Sequence, residues 1–190
     1  MRRGFFMSAT LLASAILTVA HGSSPGLAPL FEVTLDIDHD GQPDRAVLTE
    51  SADGDTTDLA IFLSADRQPF VKLAVIAGEA NGMERTGKSS LIIKSGYNLH
   101  ASTWDETLTI VYRGGQFMVA GFTREWDWNV RTSDSAVEKA MGGCAINYLT
   151  GKGRASDGLE DSKPVKGKFK PVRLADWSAG TLPQICTFER

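Results

Sequence analysis

The run Asp36-Ile-Asp-His-Asp-Gly-Gln-Pro-Asp44 sets carboxylates at positions 1, 3, 5 and 9 of a short loop, with Gly41 at position 6. When such a chain curls, the side chains of Asp36, Asp38 and Asp40 converge on one point, and Gly41 permits the tight turn. The Gln42 carbonyl can add a ligand, and Asp44 completes the oxygen set directly or through water. Hard oxygen donors in a flexible cage suit Ca²⁺ better than Mg²⁺, which keeps more of its water. Four carboxylates packed this closely repel one another unless a cation lies among them. The plainer alternative is a solvated acidic turn. Position 12 is Val47, where a helix–loop–helix calcium hand carries a bidentate Glu. The flanks, Val33-Thr-Leu and Ala46-Val-Leu, read as strands.

A second stretch, Gly82-Met-Glu-Arg-Thr-Gly-Lys-Ser89, fits the phosphate-loop pattern G-x-x-x-x-G-K-[ST]. That chemistry needs a strand ending at the first glycine and a helix starting at the Lys-Ser, so that loop amides and the helix N-terminus face the phosphates. Here Ala77–Asn81 intervene before Gly82, and Ser-Leu-Ile-Ile-Lys after Ser89 reads as a strand. The expectation is a polar turn between strands, and a nucleotide hydrolase is disfavoured.

A third group, Trp104-Asp-Glu106 and Glu125-Trp-Asp-Trp128, flanks a hairpin at residues 107–123 whose Gly114-Gly115 turn brings the two ends together. Trp104, Trp126 and Trp128 beside Asp105, Asp127 and their neighbours could stack sugar rings and bond hydroxyls, as a carbohydrate-binding module or a weak glycan hydrolase does. The alternative is that the indoles cap the core at a sheet end. His21, His39 and His100 form no spaced zinc pair, and no G-x-S-x-G elbow occurs. The two cysteines, Cys144 and Cys186, pair as a disulfide in an oxidising compartment; otherwise they are two buried thiols.

These groups must be positioned by strands. Apolar and polar residues alternate over Phe31–Asp36, Arg45–Thr49, Leu59–Leu63, Phe70–Ile76, Ser90–Lys94, Thr107–Tyr112 and Phe117–Thr123, with weaker runs at Ala145–Leu149 and Lys168–Leu174. Only Ser133–Met141 reads as a short helix. The pattern predicts a mainly β fold, an antiparallel meander forming a sandwich or a partial barrel or propeller-like sheet, with little helix. Ahead of it, Arg2-Arg3, an apolar run from Met7 to Ala20 and the small residues at Thr18-Val-Ala20 mark a secretory signal at 1–20. Residues 21–30 read as a flexible lead-in and 31–190 as one β-rich domain. Cleavage would remove Arg2 and Arg3 from the 20 basic residues, leave all 23 acidic ones, and shift the net charge from −3 to −5. Such a chain offers no basic footprint for nucleic acid or for an anionic membrane.

The acidic loop resembles the strand–loop–strand calcium loops of FG-GAP and VCBS-type β-repeats, whose DxDxDGxxD pattern it matches over about a dozen residues in a single copy. That resemblance implies Ca²⁺ held by Asp36, Asp38, Asp40, Gln42 and Asp44, mostly to pin a strand connection. The later chain, Leu108–Phe122, Cys144–Gly153 and Pro171–Trp177, resembles small uncharacterised secreted proteins of Gram-negative bacteria. It implies a periplasmic or secreted location and transfers no activity. The reading is therefore a non-enzymatic envelope protein whose partner is a glycan or another protein.

Overall fold

The computed structural model describes residues 28–186, except 53, 78, 100–101, 132–136, 157–162, 166–168, 179–181 and 183. The expected signal at 1–20 and most of the lead-in lie outside the described residues. Twelve strands follow in chain order: β1 (Pro29–Leu35), β2 (Asp44–Glu50), β3 (Thr56–Phe62), β4 (Phe70–Ala77), β5 (Glu79–Thr86), β6 (Ser90–Leu99), β7 (Ser102–Arg113), β8 (Gln116–Arg131), β9 (Val137–Asn147), β10 (Lys152–Ser156), β11 (Lys163–Val165) and β12 (Val172–Arg173). Among the described residues the only helical turns are two 3-10 turns, Leu174–Asp176 and Gln184–Cys186.

Two antiparallel sheets result, and neither closes into a barrel. The smaller has the order β1-β2-β3-β4; the larger runs β11-β10-β9-β8-β7-β6-β5, with β12 paired to β8. The fold is the expected antiparallel β architecture, in its sandwich form. One apolar cluster joins the inner faces, with Leu35, Leu48, Leu59 and Ile61 from the small sheet meeting Leu91, Ile93, Leu108 and Ile110 from the large one. Alternation along each strand sends every second side chain into this layer.

Three expectations change. The segment predicted as a helix is largely strand: Val137–Met141 pair with Arg131–Asp127 of β8. Residues 127–131 of β8 offer ladder partners there, and sheet pairing overrides local helix preference. Strand β6 runs beyond the expected Ser90–Lys94, through Gly96 to Leu99. A Cβ at Gly96 would lie 2.7 Å from Asp105 Oδ1, so this glycine serves close approach within the sheet. The lead-in ends early, because Pro29 and Leu30 already belong to β1. The hairpin turn is as expected, with Gly114 and Gly115 both at positive φ (58° and 78°), as a two-residue turn requires.

A C-terminal strap closes the open side of the sandwich. Trp177 is 3% exposed, and its Nε1 donates to the Val75 carbonyl of β4 at 3.1 Å. Its ring meets Phe122 of β8 at 5.5 Å and Tyr148 at 6.4 Å. The strap then returns to β9 through the Cys144–Cys186 disulfide, whose Cα atoms are 5.4 Å apart, and both cysteines are buried. The bridge fits an oxidising compartment. No helix among the described residues is long and apolar enough to cross a membrane.

Replacing both cysteines by alanine should lower stability by about 2–4 kcal/mol, because the bridge closes a long loop in the unfolded chain. Urea unfolding of the oxidised protein and the double variant reads this directly, and superimposable curves would contradict it. Burial also pushes the Tyr148 phenol from 10.0 up to about 12. Between those values the folded chain keeps a proton that the unfolded chain has lost, so this group's stabilising contribution falls as pH rises from 10 to 12. Tyr148→Phe should flatten that part of the stability–pH curve, and absorbance at 295 nm should show one phenol of the parent protein titrating late.

Candidate metal centre

The acidic loop joins β1 to β2. Ile37 anchors it, with its side chain fully buried in the core. Beyond that anchor the backbone twists through left-handed positions at His39 (φ 67°) and Gly41 (φ 85°). Each turn is held by a carboxylate: Asp40 N donates to Asp38 Oδ1 at 3.1 Å, Gly41 N to Asp36 Oδ2 at 3.2 Å, and Gln42 N to Asp40 Oδ1 at 2.7 Å. The side chains of Asp36, Asp38 and Asp40 converge, each offering an oxygen, and these three oxygens lie within 4.8 Å of one another. Calcium–oxygen distances of 2.3–2.6 Å allow ligands of one ion to stand up to about 5 Å apart, so the spacing fits.

Asp36 Oδ1 is closed off from solvent and accepts no hydrogen bond among the described residues. A shielded carboxylate oxygen without a donor is costly, and a cation offsets that cost. Asp38 feels the same crowding. Its carboxyl is raised above the usual range by desolvation first and then by the carboxylates of Asp44, Asp40 and Asp36, against the opposing hydrogen bond from the Asp40 amide.

Asp44 stands differently from the other three. It is 1% exposed; Oδ2 accepts the Ile37 amide and Oδ1 the Ser64 amide, both at 2.8 Å. It therefore clamps the β1–β2 loop to the β3–β4 connection, and it is outside the group of converging oxygens. Ser64 closes the clamp a second time, its hydroxyl donating to Asp40 Oδ2 at 2.9 Å. Sequence reasoning missed Ser64. It lies 24 residues from Asp40, and only the pairing of β2 with β3 brings it near. Gln42 takes part through its amide, and His39 is exposed.

The Trp and acid group is divided by strand alternation. Trp104 pairs with Trp126 and Glu106 with Arg124, in line with buried Leu108 and Phe122 on the core side. Asp105 pairs with Glu125 and Thr103 with Asp127, on the opposite face. Those residues line an open trough of about 550 Å³ that Trp126 also borders. Trp128 pairs with Ser102 in the register. The rings and the acids thus do not form one platform. Trp126 lies flat over Gly142, where a Cβ would come within 2.5 Å of the indole. The Arg124 guanidinium stands 5.5 Å from the Trp104 ring, donates to Glu106, and reaches the Cys186 carbonyl at 3.1 Å. Burial raises the Glu106 carboxyl, and Arg124 partly offsets the rise. These groups cap the core and hold the strap.

The phosphate-loop match occupies the β5–β6 hairpin. Met83 packs into the core, Gly87 turns the chain at φ 63°, and the strand β6 follows Lys88 and Ser89. The helix that would face a phosphate has no place in that hairpin. No family model, curated protein or solved structure matches the chain.

Asp44→Ala should destabilise the protein by about 2–4 kcal/mol, because it leaves two amides of the clamp without acceptors. The loss should be similar with calcium and with EDTA. A loss seen only with calcium would mean that Asp44 acts chiefly as an ion ligand.

Proposed function

We propose that this chain is an exported, periplasmic or secreted β-sandwich that binds a partner and has no catalytic role of its own. In this reading one Ca²⁺ ion, held by Asp36, Asp38 and Asp40, pins the edge of its small sheet. The observation that carries the ion is the convergence of the Asp36, Asp38 and Asp40 carboxylates, beside an Asp36 Oδ1 that is closed off from solvent and has no donor among the described residues. Oxygen-only donors on a short loop favour calcium over softer metals. The ion would offset the desolvation and the mutual repulsion that raise Asp38, and it would fix the loop against Ser64. Export is supported by the signal-like first twenty residues and by the disulfide.

Thermal unfolding of the oxidised chain, with calcium and with EDTA, tests the ion. A ligand bound only by the folded state adds about 2.7 kcal/mol at a hundredfold excess over its Kd. Calcium should raise the midpoint of the parent protein. It should have little effect on Asp36→Asn or Asp38→Asn, and magnesium should substitute poorly. Equal midpoints in calcium and EDTA would leave the loop as a solvated acidic turn.

A further inference from the structure

We infer that the Asn81-Gly82 step is a self-modification site, at which the folded protein turns a side-chain amide into aspartate and isoaspartate. Gly82 opens the stretch that matches the phosphate-loop pattern, and the residue before it carries the reactive group. Of the asparagines Asn81, Asn98, Asn129 and Asn147, only Asn81 precedes a glycine. A following glycine has no Cβ, so its amide nitrogen reaches the asparagine carboxamide with little crowding. The fold adds to this. Ala80 pairs with Ser95 and Gly82 with Lys94, so Asn81 is the extra residue of a β-bulge. It is exposed, and its side chain makes no hydrogen bond among the described residues. The ladder pairing that fixes the dihedrals of its neighbours is thus missing at the one residue that must twist.

The step balances with water as its only co-reactant. The Gly82 nitrogen gives its proton to hydroxide and attacks Asn81 Cγ. A new Cγ–N bond forms, the Cγ–Nδ2 bond breaks, and ammonia leaves with a proton from water. A water molecule then opens the cyclic imide. Opening at Cγ gives aspartate. Opening at the backbone carbonyl carbon gives isoaspartate, with the chain rerouted through Cβ and Cγ. In sum, one water enters and one ammonia departs. The product changes an edge, because β5 ends the order of the large sheet. Asn81 Nδ2 and Asp105 Oδ1 stand 3.0 Å and 2.7 Å from the place a Gly96 Cβ would take, so both side chains lie over the same glycine. A carboxylate at position 81 therefore sits beside that of Asp105, with Glu79 paired to Gly96. Like charges this close repel one another. Isoaspartate also lengthens the backbone. Both changes loosen β5 beyond the bulge.

The test ages the oxidised protein at mildly alkaline pH and follows the tryptic peptide 73–85, in which Asn81 is the sole asparagine. Mass spectrometry reads the amide-to-acid gain, and isoaspartate-specific methylation separates the two products. Asn81 should convert while the protein stays folded, and Asn147, which precedes Tyr148, should lag. Gly82→Ala should slow the conversion by about tenfold, a barrier change of about 1.4 kcal/mol. A Cβ added at Gly82 meets only Lys94 carbons, at 3.7 and 3.8 Å, so this variant fits the fold. Hydrogen exchange at Met83–Thr86 should be faster in the aged protein than in the fresh one, as expected for a loosened edge. The proposal is overturned if Asn81 survives in the folded protein over the time in which the urea-unfolded chain converts. It is also overturned if Asn147 converts as fast, if Gly82→Ala converts at the parent rate, or if exchange at Met83–Thr86 is unchanged by ageing.

Discussion

Two sheets of unequal size must be kept face to face, and a single buried indole spans the seam. Strand β4 is the last strand of the small sheet, so its outer edge lacks a neighbouring strand among the described residues. Trp177 supplies a donor to one carbonyl of that strand while its ring fills the space between Phe122 and Tyr148. A buried N–H must find an acceptor, and an edge strand has acceptors to offer. Lys72 adds a bond to the Ala175 carbonyl from the same strand. The strap is tied at its entry by β12 pairing with β8 and at its exit by the disulfide and the Arg124 contact with Cys186. Its described parts are thus held at both sheets. The buried polar pair at Glu106 and Arg124 gains a purpose too, since the guanidinium that neutralises the carboxylate also holds the strap.

The acidic loop obeys a related constraint at the opposite edge of the small sheet. Its backbone turns through two left-handed residues and so cannot satisfy its amides by ladder bonding. Carboxylates do it instead, and their number exceeds what the amides require. Asp44 uses both oxygens on amides and becomes part of the scaffold. Asp36 uses one and keeps the other shielded. This division of labour turns a run of similar residues into a scaffold acid and three converging acids. It also explains why the spacing alone assigned Asp44 to the ion: the sequence repeats one residue type, while burial separates the roles.

What was legible in the sequence was what local periodicity controls. Alternation in Thr107–Tyr112 and the Gly-Gly turn identify the central hairpin, and the hydrophobic runs of β1 to β4 identify the small sheet. Strand β5 was hidden because it is an edge strand of mixed polarity with Met83 as its chief apolar contribution, and because it overlaps a phosphate-loop pattern. The extension of β8 to Arg131 was hidden for a different reason. Glu125-Trp-Asp-Trp128 alternates ring and acid, which is strand periodicity, but the same residue types also read as one chemical cluster. The same period of two that makes them a strand sends the acids to one face and Trp126 to the other. Ser64 and the path of the strap carry no local signal, since both depend on contacts between distant parts of the chain.

The ion loop belongs to the small sheet, and the packed core separates it from the outer face of the large one. Close-packed interiors do not deform continuously, so a change at one edge rearranges the far side only where some element has two stable arrangements. The sandwich offers a clear division: the loop acts on the β1–β2 and β3–β4 connections, while the outer face is built from β5 to β11. An ion held at the loop would therefore act on the survival of the sandwich and leave the outer face of the large sheet unchanged.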